Sequence, residues 1–133
     1  MPTPRLAITS ARKQFPGVLA LDGVSLEIAK GDYVAIMGAS GSGKSTMMNL
    51  IGALDRPTSG RLWLDDRDIA HMTADELADL RNVTIGFVFQ QFCLDGRETV
   101  FENVTLAMRS RGASNSDITK ETTAALTAVG LED

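Results

Sequence analysis

Residues 38 to 46 read GASGSGKST, which sets Gly38, Gly41 and Gly43 among small side chains, Ser40 and Ser42, and follows them with Lys44, Ser45 and Thr46. A loop this lean can turn its backbone N–H groups inward, and a chain of phosphates is the anion that such a row of donors holds. The glycines allow backbone angles closed to other residues, and a helix starting near Lys44 would add its own unpaired N–H groups and positive dipole end. The Lys44 ammonium then reaches the outer phosphates. The Ser45 hydroxyl is placed to ligate Mg²⁺, a hard cation that prefers oxygen and usually keeps several waters. Thr46 supplies a second hydroxyl, so a nucleoside triphosphate with its metal is the ligand these nine residues fit.

The loop has to be held between a strand and a helix. Just before it, Tyr33-Val34-Ala35-Ile36-Met37 is a short apolar run of the kind that forms a strand buried on both faces. Just after it, Met47, Met48, Leu50, Ile51 and Leu54 predict a helix with a broad apolar stripe. The rest of the chain reads as mixed α and β. Leu6 to Thr9 and Val24 to Ile28 are strands around a Pro16-Gly17 turn, and Lys30-Gly31-Asp32 turns the chain into the buried run. Asp55 to Gly60 is a break, Arg61 to Leu64 a strand, and Asp65-Asp66 a tight hairpin turn. Thr73 caps a helix carrying Asp75, Glu76, Leu77 and Leu80, with its acids in the first turn where the dipole favours them. Thr84 to Phe89 reads as a further strand. A helix follows over Val100 to Met108, and another over Ser116 to Val129, stopped by Gly130.

Composition bounds the function. With 133 residues, 44% hydrophobic and 23% charged, the chain has the make-up of a globular domain with one core. A formal charge of −4 argues against the broad basic surface that DNA or RNA binding needs, so phosphate recognition must be local. No stretch approaches the ~20 apolar residues that span a bilayer, and Pro2, Pro4, Arg5, Arg12 and Lys13 interrupt any signal-like core. The expected location is the cytoplasm. A lone Cys93 forms no internal disulfide, in keeping with a reducing compartment, and His71 in its polar stretch reads as a surface residue.

Taken in order, VSLEIAKGDYVAIMGASGSGKSTMMNLIGALDRPTSGRLWLDDRDI followed by IGFVFQQF resembles the ATP-binding subunits of ABC transporters, most closely the lipoprotein-release and macrolide-export group. The resemblance implies a P-loop NTPase of α/β class, represented by its N-terminal portion. Residues 1–92 would hold an antiparallel β subdomain and the core with its Walker A strand, loop and helix, up to the Q-loop. Residues 93–133 would begin the helical subdomain. It implies ATP and Mg²⁺ as ligands, with Lys44 and Gln90 in catalytic roles and Ser45 and Gln90 at the metal. Gln90, at the end of FVFQ, matches the family glutamine that contacts the Mg²⁺ and γ-phosphate region; Gln91 is the alternative. Phe15 in KQFPG matches the aromatic that stacks on adenine, with Val18 and Ala20 lining the same pocket. The implied partners are a transmembrane permease and a second ATP-binding subunit, on the inner face of the plasma membrane, with no direct membrane insertion and no nucleic acid.

Departures are visible too. Asp66 stands where the family usually has a turn glycine, Cys93 where it has Asn, and Asp95-Gly96-Arg97 where it has an apolar, Pro-containing piece. The LSGGQ signature, the strand ending in Asp-Glu and the switch histidine do not occur in these residues, so the chain reads as a fragment that binds ATP but draws on groups outside itself for hydrolysis. Strands lacking their neighbours would leave edges open to aggregation or to another chain. Two other readings stand beside this one. A non-hydrolysing nucleotide-binding remnant shares the loop; a small P-loop kinase would need arginines closing as a lid, whereas Arg109 and Arg111 fit a solvated helix face.

Overall fold

Hairpins build the sheet. In a computed structural model, which describes residues 4–110 and 112–131 apart from the Ala107 side chain, the antiparallel strands β1 (Leu6–Phe15) and β2 (Val18–Ile28) are joined by Pro16-Gly17 alone. Gly17 takes the positive φ, 77°, that so short a connection demands. β3 (Ser59–Leu64) pairs with the other edge of β1, and β4 (Arg67–Asp68) with β3, giving the order β2-β1-β3-β4. Asp65 and Asp66 carry the last hairpin with φ 45° and 63°, a left-handed pair that Asp tolerates at modest cost.

β1 is longer than its apolar alternation suggests. Leu6 and Ile8 are buried, and then Ser10 bulges out at φ 50°, so the next buried residue is Ala11 and the inward parity flips from even to odd. Gly60 makes the bulge possible, since a Cβ there would lie 2.5 Å from the Ser10 carbonyl oxygen.

Two compact units result, one running through Ile85 and the other from Gly86. In the first, α1 (Lys44–Ile51) and α2 (Ala74–Thr84) accompany the sheet, with a 3₁₀ turn at Ile69–His71 after β4. Leu6, Ile8, Leu50, Leu62, Ile69 and Leu80 are at the centre of the core. The apolar stripe of α1 is narrower than predicted: Met47 and Leu50 are buried, Met48 is exposed, and the helix ends before Leu54, which is exposed. Arg81 fastens α2 to that end by donating to the Ala53 carbonyl at 2.8 Å. Thr73 caps α2 in a full capping box with Glu76, as its position three residues ahead of a glutamate predicts.

In the second unit α3 (Val100–Arg109) packs on α4 (Asn115–Ala128). Ile118, Thr122 and Leu126, spaced one turn apart, form the buried face of α4, and the Thr122 hydroxyl donates to the Met108 sulfur at 3.6 Å. Thr99 repeats the capping box with Glu102, and Gly130 ends α4 in the left-handed conformation. Arg109 is exposed in the last turn of α3; Arg111 lies outside the described residues.

Two predicted strands do not form. Tyr33 to Met37 joins no strand ladder among the described residues, with Tyr33 98% exposed; of these five, Ile36 packs against the core. Thr84 is the last residue of α2, Ile85 turns to the extended conformation, and the chain through Phe89 joins no strand among the described residues, with Val88 fully exposed. The cause is the same for both. An apolar run suited to a central strand gains little until hydrogen-bonding neighbours lie on each side, and the sheet present here is completed by other strands.

Candidate nucleotide site

Gly43 is where the loop becomes a helix and where it touches the sheet. Its φ of 89° suits glycine, and a Cβ there would lie 2.6 Å from the Ala20 carbonyl oxygen and 2.9 Å from the Leu21 side chain. Close backbone approach thus seats the loop on β2. Gly41 is also left-handed, at φ 79°, and a Cβ on Gly38 would strike the Ser42 hydroxyl at 2.6 Å. The loop is tight by construction.

At the start of α1, Gly43 provides no side-chain cap and the first turn holds no acidic residue. The N–H groups of the first turn have no acceptor within a helix, so their positive end is presented outward. The Lys44 ammonium curls back over the loop, donating to the carbonyls of Gly38 at 2.8 Å and Ala39 at 2.6 Å, with the Ser42 hydroxyl at 3.4 Å. Lys44 and the residues of that first turn lie together at one concavity.

That concavity is a cavity of about 310 Å³. Ser40, Gly41, Gly43, Lys44, Ser45 and Thr46 form one wall, and Val18, Leu19 and Ala20 of β2 form the other. Most of the sequence-predicted residues meet here. Gly38 and Ser42 shape the loop without lining the cavity. Leu19 was not foreseen; the signal available was its place between Val18 and Ala20, half-exposed on a strand that starts directly at the turn. Phe15 pairs with Val18 across the hairpin and is 41% exposed, with its ring 5.1 Å from the Lys13 ammonium.

Gln90 and Gln91 belong to the second unit, where both are exposed at a bend after Phe89. Cys93 is exposed, and His71 lies at the surface beside Asp68, 3.7 Å away. Among the described residues no three His, Cys, Asp or Glu side chains converge as a metal cage. The glycine contacts and the uncapped first turn suit the cavity to a phosphate ligand; a divalent ion there would rely on the Ser45 hydroxyl and on the oxygens of the ligand itself.

A hairpin-built sheet, a glycine loop seated on it and a helix opening at a lysine define a P-loop nucleotide-binding fold. Comparison with known proteins narrows the class. The ABC transporter family pattern matches residues 21–133. The chain is 48% identical over 116 residues to a macrolide export ATP-binding/permease protein of Brucella abortus, covering 87% of this chain and 18% of that one. It is 50% identical over 113 residues to an ABC transporter ATP-binding protein of Bacillus subtilis, 85% of this chain and 49% of the other. Among solved structures, a dimeric bacterial ABC transporter cassette superposes with a TM-score of 0.82 at 39% identity, covering 92% of this chain and 56% of that chain. A dimeric post-hydrolysis cassette bound to ADP and Pi gives 0.79 at 40% identity, with the same coverage. The chain belongs to the ABC transporter family and corresponds to the N-terminal part of its ATP-binding cassette. It spans about a fifth of the length of the export protein from Brucella and about half of the ATP-binding protein from Bacillus and of the solved cassette.

Proposed function

We propose that this chain binds ATP with Mg²⁺ in the cavity between the glycine loop and β2, as part of a cassette that serves a membrane permease in export or lipoprotein release. The observation that carries the reading is that Lys44 and the uncapped first turn of α1 line that cavity, with the Lys44 ammonium turned back onto the loop. Phosphate oxygens would take the place that the carbonyls of Gly38 and Ala39 hold around the ammonium, at charge-assisted strength. Ser45 would ligate the ion, whose charge offsets that of the β and γ phosphates. Gly41 and Gly43 let the backbone come close, Val18 flanks the base, and Phe15 offers it a ring face. Gln90 is the residue proposed for the metal and γ-phosphate contacts, on its match to the family glutamine at the end of FVFQ.

Association with a permease and with a second cassette is proposed on the names and dimeric states of the relatives. Among the described residues no helix is long and apolar enough to cross a membrane, and a peripheral position on the cytoplasmic side is proposed from membership of the family. Hydrolysis would draw on carboxylate and signature groups that this sequence does not contain. Titration of the chain with labelled ATP in Mg²⁺ tests the reading. Saturable binding is expected, and Lys44→Ala should abolish it through a loss of about 1.5–3 kcal/mol together with disturbance of the loop. Equal affinity in the variant and the parent contradicts the site.

A further inference from the structure

The side chain of Lys13 is 14% exposed, unusually withdrawn for a lysine, and its ammonium makes two hydrogen bonds. It donates to Asp55 Oδ1 at 2.6 Å and to the Arg56 carbonyl at 2.8 Å, while lying 5.1 Å from the centroid of the Phe15 ring. Asp55 belongs to the connection after α1, forty-two residues away, so this contact ties the end of β1 to the far end of the helix that the phosphate loop begins. Backbone bonds reinforce the tie: Thr58 N–H donates to the Arg12 carbonyl at 2.8 Å, and the Gln14 N–H to the Thr58 hydroxyl at 3.0 Å.

A lysine drawn this far from water needs a reason beyond one ion pair, since an exposed partner would stabilise it about as well. Its placement supplies one. Phe15 sits at the tip of a hairpin, 41% exposed, and among the described residues Lys13 is the cation that lies over its ring. A cation over one face attracts the ring through its quadrupole and leaves the opposite face for a second π system.

We infer that Lys13, held by Asp55, is a positioning residue that fixes the Phe15 ring for stacking by the nucleobase, so that base recognition depends on a lysine that does not touch the nucleotide. The inference rests on the stacking role proposed for Phe15 and adds to it the group that orients the ring. It also predicts that the base and phosphate contributions to affinity separate by residue: Lys13 and Phe15 act on the base, Lys44 on the phosphates.

The test compares dissociation constants of the chain for MgATP and for inorganic triphosphate in the parent, Phe15→Ala, Lys13→Met, Lys13→Arg and Asp55→Asn. Lys13→Met should lower the preference for ATP over triphosphate about two- to fivefold, with triphosphate affinity unchanged. Lys13→Arg should keep the preference, because a guanidinium also sits well on a ring face. Asp55→Asn should fall between, the lysine being kept and its anchor weakened. If Phe15→Ala removes the preference while Lys13→Met preserves it, Lys13 has no positioning role and the stacking role stands. If Phe15→Ala leaves the preference intact, the stacking role itself fails. A parallel loss of triphosphate binding in Lys13→Met and Asp55→Asn marks the pair as purely structural and overturns the inference.

Discussion

The four-stranded sheet and the apolar run that leads into the phosphate loop are neighbours in the chain, yet one is finished and the other is not. Each strand of the sheet finds its partner through a short turn or within some sixty residues, and its alternating pattern buries one face while water takes the other. Tyr33 to Met37, and likewise Ile85 to Phe89, are apolar without interruption and gain burial only from partners on both sides. Each sends one residue, Ile36 and Ile85, into the core and leaves the rest in solvent. Phe87 and Phe89, two residues apart and so on one side of the chain, stack parallel with ring centroids 5.4 Å apart, while no strand ladder forms around them among the described residues. Local geometry can be written into a short segment; a central strand depends on residues remote from it.

The largest expected effect sharpens that contrast. Leu50→Ala, in the finished core, should lose about 2–5 kcal/mol of unfolding free energy, whereas Val88→Ala should stay within about 0.5 kcal/mol of the parent. Urea melts of the two variants decide it, and a costly Val88→Ala would mean that the run is buried in solution after all. Next comes Gly43→Ala, which forces a Cβ against the Ala20 carbonyl at a positive φ. A loss of about 1–3 kcal/mol is expected, and calorimetric ATP titration should show weakened binding alongside it.

Smaller effects lie at the helix caps. Thr73→Ala should cost about 1 kcal/mol through the lost bond to the Glu76 N–H, read from the same melts. The Glu76 carboxyl is held below its ordinary value, first by the backbone N–H of Thr73 and then by the Thr73 hydroxyl. Its contribution is therefore present above the unfolded carboxylate value and disappears as pH falls through the folded one. Amide shifts of Thr73 and Glu76 should follow that acid titration, and Glu76→Gln should remove the pH dependence of the cap. α3 is expected to respond less simply. Glu102 is lowered by the Thr99 N–H in the same way, but Glu98 is raised, chiefly by its hydrogen bond with Glu102, so its contribution is fully present at low pH and is lost as pH rises.

Much of this was legible in the residues because short-range chemistry set it. The Pro16-Gly17 and Asp65-Asp66 turns, the Thr73 cap, the Gly130 stop and the phosphate loop each depend on one or two residues with a specific backbone role. The bulge at Ser10 was not legible, since nothing in Thr9-Ser10-Ala11 demands a positive φ until Gly60 is placed opposite. Lys13 and Asp55 meet across forty-two positions, and no pattern in either stretch marks the pair. The two apolar runs misled for the converse reason: their composition describes a strand in company, and period alone does not report whether company is present.

Amide hydrogen exchange along the chain, with and without MgATP, tests the central claim most directly. Binding as described should slow exchange at Lys44, Ser45 and Thr46, whose N–H groups would donate to phosphate, and at the glycines before them, while Tyr33 to Met37 and α4 keep their rates. Unchanged exchange across Gly41 to Thr46 at saturating ATP, or protection confined to some other segment, would contradict the assignment of this loop as the phosphate site.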